Sequence, residues 1–194
     1  MKVGIIDSGV HAAHPHVDGV AGGVGITSDG REESDFVDRI GHGTAVAAVI
    51  REKAPAAEIF AVKVFYDELA TRIESLIQAI DWCIAQRMDL INLSLGTRNT
   101  AHEPLLRAAL GRVNASGIQL VAAGEDEGGR WLPGCMPGVI PVRLDWDCPR
   151  DRYRLVDGVY YASGYPRPIP GVPKERNLRG ISFAVANVTG LLAG

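Results

Sequence analysis

Short unbroken apolar runs alternate with stretches in which apolar residues recur every three or four positions, from the first residues to position 123. Val3 to Ile6, Glu58 to Val64, Asp89 to Ser94 and Ile118 to Gly124 read as strands buried on both faces. Between them, residues 72–86 carry Ile73, Leu76, Ile77, Ile80 and Ile84 on one helical face. Residues 103–115 carry Leu105, Leu106, Ala109, Leu110 and Val113, with Gly117 placed to end that helix. Strand and helix in strict alternation predict an α/β fold: a mostly parallel sheet with helices on both faces. Further strands are expected at 139–144 and 155–162. Residues 18–39 and 125–137 read as irregular, and 163–180 as a Pro/Gly-rich passage.

At 194 residues the chain is expected to be one domain. Its net charge of −3 gives no general attraction to nucleic acid or an anionic membrane, and no basic patch suggests either partner. No apolar run reaches the roughly 18 residues a membrane span needs. The N-terminus runs directly into a core strand rather than a signal peptide, and three cysteines, Cys83, Cys135 and Cys148, are an odd number. A reducing cytoplasmic location is therefore expected. The acidic group Glu32-Glu33-Ser34-Asp35 leaves a calcium ion open without diagnostic spacing, and no motif calls for a metal or other cofactor.

Three residues stand where chemistry is placed in such folds. Asp7 ends the first strand, the edge at which open α/β sheets keep their sites; an acid before Ser8-Gly9 is also a common turn former. His42 lies between Gly41 and Gly43 at the start of a small-residue apolar helix. Ser182 follows Gly180-Ile181 at the start of another, where it is either a helix cap or a nucleophile beside backbone N–H groups and a positive dipole end. Serine catalysis needs a base to take the hydroxyl proton and an acid to orient that base, and an acid, a histidine and a serine stand in that order here.

These stretches together resemble the subtilisin-like serine proteases, or subtilases. Asp7-Ser8-Gly9-Val10 with His14-Pro15 is similar to the family's Asp motif, Gly41-His42-Gly43-Thr44 to its His motif, and Gly180-Ile181-Ser182-Phe183-Ala184 to its Ser motif. Ala54-Pro55, Ala61-Val62-Lys63-Val64 and Ile91-Asn92-Leu93-Ser94-Leu95-Gly96 match the stretches between. The resemblance implies a subtilisin-like fold and an endopeptidase acting on a peptide or protein. Ser182 would be nucleophile, His42 base and Asp7 the residue that holds the imidazole. Ser94, Leu95 and Gly96 would pair with an extended substrate, and Ala122, Ala123 and Gly124 would form the opposite wall of the pocket for the side chain before the cut.

One departure bears on chemistry. Where the family has an Asn whose amide donates to the oxyanion, this chain has Glu125, and an ionised carboxylate has no proton to donate. Three readings are open: Glu125 turns away and leaves a slow protease for a dedicated substrate; it donates as a neutral acid; or the site is silent and the fold serves as a peptide-binding or regulatory subunit. The cluster Glu125-Asp126-Glu127 reads as a solvated loop. Milder departures are Ile181 for the family's Thr and Ala186-Asn187 for its Pro-His. The resemblance also implies a single catalytic domain over residues 1–194, without a pro-segment and short at the C-terminus; a second copy or a partner subunit is expected to cover the apolar surface there, with a fragment of a larger protein as the alternative.

Overall fold

Val3, Ile5 and Ile6 are fully buried because the strand that carries them runs through the middle of a nine-stranded sheet. A computed structural model of the chain describes residues 1–126 and 128–194. Strand β1 (Lys2–Asp7) is flanked in parallel by β4 (Glu58–Lys63) and β5 (Leu90–Leu93). Beyond β5 the parallel order continues through β6 (Gln119–Ala123), β9 (Ile140–Leu144) and β11 (Val159–Ala162), and β10 (Tyr153–Val156) closes that edge antiparallel to β11. Beyond β4 lie β2 (Gly22–Ile26), parallel, and the short antiparallel β3 (Glu32–Glu33). A separate two-residue ladder joins β7 (Glu125–Asp126) and β8 (Gly129–Arg130).

Alternation along β1 sorts the core into two layers. Val3 and Ile5 pack with helices α1 (His42–Lys53) and α4 (Ile181–Ala193) on one face. Ile6 packs with α2 (Ile73–Ala85) and α3 (Glu103–Ala115) on the other. The parallel sheet with helices on both faces is thus as the alternation predicts, and Gly117 follows α3 with a positive φ of 75°. Among the described residues, no helix is long and apolar enough to cross a membrane.

Several local expectations are corrected. Residues 18–39 are not irregular throughout, since β2 extends the sheet; three of its five residues are glycine, which hides the apolar alternation. The span 155–162 is not one strand but most of a hairpin, reversed at Asp157-Gly158, where both residues have positive φ. That pair is the favoured sequence of a two-residue hairpin turn. Residues 125–137, read as irregular, contain the β7–β8 ladder. Leu105 does not face the core: it is 49% exposed, whereas Leu106, Ala109, Leu110 and Val113 are buried. Those four already complete the i, i+3, i+4, i+7 stripe, and Leu105 lies about 100° around the helix from it.

The acidic group before α1 is occupied by protein donors. Tyr66 donates to Glu33 at 2.8 Å, and Asp35 lies 2.8 Å from Arg39 and 3.9 Å from Lys63. Cys83, Cys135 and Cys148 are free thiols.

Candidate active site

Parallel strands deliver their carboxyl ends to one rim, and helix starts face the same rim. Asp7 is the last residue of β1, His42 the first of α1, and Ser182 the second of α4. Asp7 is fully buried, and its Oδ1 lies 2.7 Å from His42 Nδ1. A carboxylate cannot donate, so the shared proton sits on Nδ1 and Nε2 is left as the acceptor. Burial by itself disfavours the charged imidazolium. The hydrogen bond and charge of Asp7, with the charge of Asp38 behind it, outweigh that and hold His42 above its ordinary pKa.

The close approach of α1 to β1 depends on Gly43. A Cβ there would stand 2.2 Å from the Gly9 carbonyl oxygen and 3.2 Å from the Asp7 Cβ. This contact is the reason for a glycine directly after the histidine.

Ser8 and Asp38, which the sequence reading did not single out, fix the same junction. The Ser8 hydroxyl donates to Asp38 Oδ1 at 2.9 Å and accepts the Gly43 N–H at 2.9 Å. Asp38 also accepts the N–H groups of Ile40, Gly41 and Thr44 and the Thr44 hydroxyl, at 2.7–2.9 Å. Burial pushes the Asp38 carboxyl up, but the Thr44, Gly41 and Ser8 donors win and hold it below the usual carboxylate range. The available signal was an acid four residues ahead of His42, at a helix start.

Ser182 is placed from the other side. Gly180 precedes α4 with φ 146°, a backbone that favours glycine, and donates to the Gly164 carbonyl at 2.9 Å. Thr189 donates to Asn92 Oδ1 at 2.9 Å, and Asn92 donates to the Ser94 hydroxyl at 2.7 Å, so α4 is pinned to the end of β5. The Ser182 hydroxyl donates to the Ser94 carbonyl at 3.2 Å. Among the described residues it makes no hydrogen bond to His42, although Phe183, the next residue, packs its ring 5.6 Å from the imidazole. The structure therefore joins Asp7 to His42 and sets Ser182 beside the strand end expected to hold substrate.

The two expected walls leave adjacent strands, with Leu93 opposite Ala122 in the β5–β6 register. Ser94, Leu95 and Gly96 continue from β5, and Ala122, Ala123 and Gly124 end β6. Glu125 does not stand free at the rim. Its carboxylate is ion-paired with Arg143 of β9, whose guanidinium also donates to the Tyr161 hydroxyl at 3.3 Å. The two line a cavity of about 570 Å³ together with Asp126, Gly128, Leu144, Trp146 and Tyr161. Arg143 is a third residue the sequence reading missed, because its partner lies 18 positions away on another strand. The third acid of that cluster, Glu127, lies outside the described residues. No cluster of three or more metal-ligating side chains occurs among the described residues.

With this geometry in view, the likeness to known proteins has a physical meaning. The model of the subtilase family matches residues 1–143, a span that holds Asp7, His42 and Glu125 and stops short of Ser182. The minor extracellular protease Epr of Bacillus subtilis is 39% identical over 138 residues, covering 66% of this chain and 20% of that protein. Subtilisin E of the same organism is 34% identical over 139 residues, covering 66% of this chain and 35% of its own. The chain thus spans well under half of either relative. An intracellular serine protease of Paenibacillus polymyxa is 30% identical over 216 residues, covering 100% of this chain, Ser182 included, and 65% of its own length. The solved structure of the prenylagaramide maturation protease PagA is similar over 100% of this chain and 73% of its own, with a TM-score of 0.73 and 25% identity. A lanthipeptide protease is similar in fold, with a TM-score of 0.75 at 19% identity, over 100% of this chain and 72% of its own. Motif order, sheet topology and these relatives agree, and the chain belongs to the subtilase family.

Proposed function

We propose that this chain is a serine endopeptidase in which Ser182 attacks the scissile carbonyl, His42 takes its proton through Nε2 and returns it to the leaving amine, and Asp7 holds the imidazole. The observation that carries the reading is the 2.7 Å contact between buried Asp7 and His42 at the rim where α4 presents Ser182. In the free protein the Ser182 hydroxyl rests on the Ser94 carbonyl. A substrate strand adding along Ser94-Leu95-Gly96 brings its own N–H to that carbonyl. The hydroxyl is then released, and rotation about the Ser182 Cα–Cβ bond turns it toward His42. The start of α4 supplies the Ser182 N–H and a positive dipole end to the oxyanion.

The ion pair with Arg143 favours the reading in which Glu125 is turned aside, leaving a slow enzyme. A dedicated substrate, such as a precursor peptide, fits low general activity, and one structural relative is named as a maturation protease. A cytoplasmic setting fits three free thiols. A second reading, a silent peptide-binding subunit, is favoured by the Ser182–Ser94 hydrogen bond and by a carboxylate where the family has an amide.

One experiment decides between them. A fluorophosphonate probe should label the wild-type protein at Ser182, and Ser182→Ala should abolish both labelling and peptide hydrolysis. Hydrolysis that persists in Ser182→Ala would overturn the assignment. Absence of both signals in the wild type would leave the binding subunit.

A further inference from the structure

Trp131 is joined to one of the two strand ends that the family resemblance makes the walls of the pocket for the side chain before the cut, and its neighbour Leu132 is joined next to the other. Its N–H donates to the Gly124 carbonyl at 3.0 Å, so its backbone is fixed to one wall. The next residue, Leu132, pairs antiparallel with Thr97, with hydrogen bonds of 2.9 and 2.8 Å, so the loop is fixed to the other wall as well. The indole is packed against Gly96: a Cβ built there would stand 3.5 Å from both the Cβ and the ring edge of Trp131. The guanidinium of Arg98 also sits over the ring, 4.3 Å from the centroid. Arg98 is in turn held by Asp126 at 2.6 Å. The indole thus touches both Gly96 and the guanidinium. A cavity that Gly96 lines in part also reaches Phe65, Leu69 and Leu76.

We infer that Trp131, clamped by Arg98, fills this pocket and restricts the site to peptides with glycine or alanine before the cut. The inference rests on the endopeptidase reading and deepens it by naming a substrate class. A larger side chain has to displace the indole, giving up its contact with Gly96 and the cation–π contact with Arg98. One or two such contacts in an apolar pocket discriminate by about tenfold or more.

The test reads modification of Ser182 and does not depend on turnover. Two peptidyl diphenylphosphonates are compared, differing only in whether the side chain before the reactive phosphorus is that of alanine or phenylalanine. A simple fluorophosphonate, which carries no such side chain, is run alongside. The wild type should react with the alanine reagent at least about tenfold faster. Trp131→Ala should shift the ratio toward phenylalanine by at least that factor, with fluorophosphonate labelling retained. Arg98→Ala changes a half-exposed side chain and should shift the ratio in the same direction even if Trp131→Ala fails to fold. A wild type that favours phenylalanine, takes neither peptidyl reagent, or keeps its ratio in the variants that fold would overturn the inference while fluorophosphonate labelling left the serine-hydrolase reading standing. Failure of all three reagents at Ser182 would overturn both.

Discussion

The carboxylate of Glu125 and the guanidinium of Arg143 are ion-paired between β7 and β9, directly after the strand end that forms one wall of the proposed site. The pair balances with a cation a carboxylate that would otherwise oppose the oxyanion of the proposed reaction. Glu125→Asn should raise kcat, since a donor of this kind is worth about 10²–10³ in rate in subtilisin-type sites. Arg143→Ala should lower kcat in the parent and have little effect in the Glu125→Asn background. A double-mutant cycle on kcat checks this; equal losses in both backgrounds would mean that Arg143 acts only on the structure.

The pH profile follows from His42. Its pKa is held above the ordinary value of about 6.5 by Asp7. A raised pKa means the proton is held more tightly, and the base form is lost as pH falls through it. The acid limb of kcat/KM should therefore lie above pH 6.5. Asp7→Asn should shift that limb to lower pH and reduce kcat by about 10⁴. A limb at or below the ordinary histidine value would count against the contact as drawn.

Gly43→Ala should leave the sheet intact and impair the site. The added Cβ meets the Gly9 carbonyl oxygen at 2.2 Å, so the start of α1 must move away from β1. A displacement near 1 Å costs about 10² in rate. The expected result is a near-native circular dichroism spectrum with kcat/KM down by roughly that factor.

Asp38 is a structural acid. Asp38→Ala leaves the Gly41 and Thr44 N–H groups and the Ser8 hydroxyl without their acceptor, a cost of about 1–3 kcal/mol. For a chain of this size each kcal/mol lowers Tm by about 2–4 °C. A thermal melt monitored by circular dichroism checks it; an unchanged Tm would show that water replaces the carboxylate.

The periodicities of the chain were enough to determine the layered α/β architecture and to put an acid, a histidine and a serine at the ends of elements, because strand and helix periods are properties of the local backbone. The same local reading passed over β2, whose glycines carry no side chains to alternate, and ran through the reversal at Asp157-Gly158. What decided the site was pairing at a distance. Asp7 meets His42 across 35 positions and Ser182 meets Ser94 across 88, because β1, β4 and β5 lie side by side in an order their sequence does not spell out. Arg143 reaches Glu125, and Trp131 reaches both Gly96 and Gly124, for the same reason: parallel strands gather the residues at and just past their ends at one rim. Which partners meet there is set by the sheet order and not by neighbours in the chain.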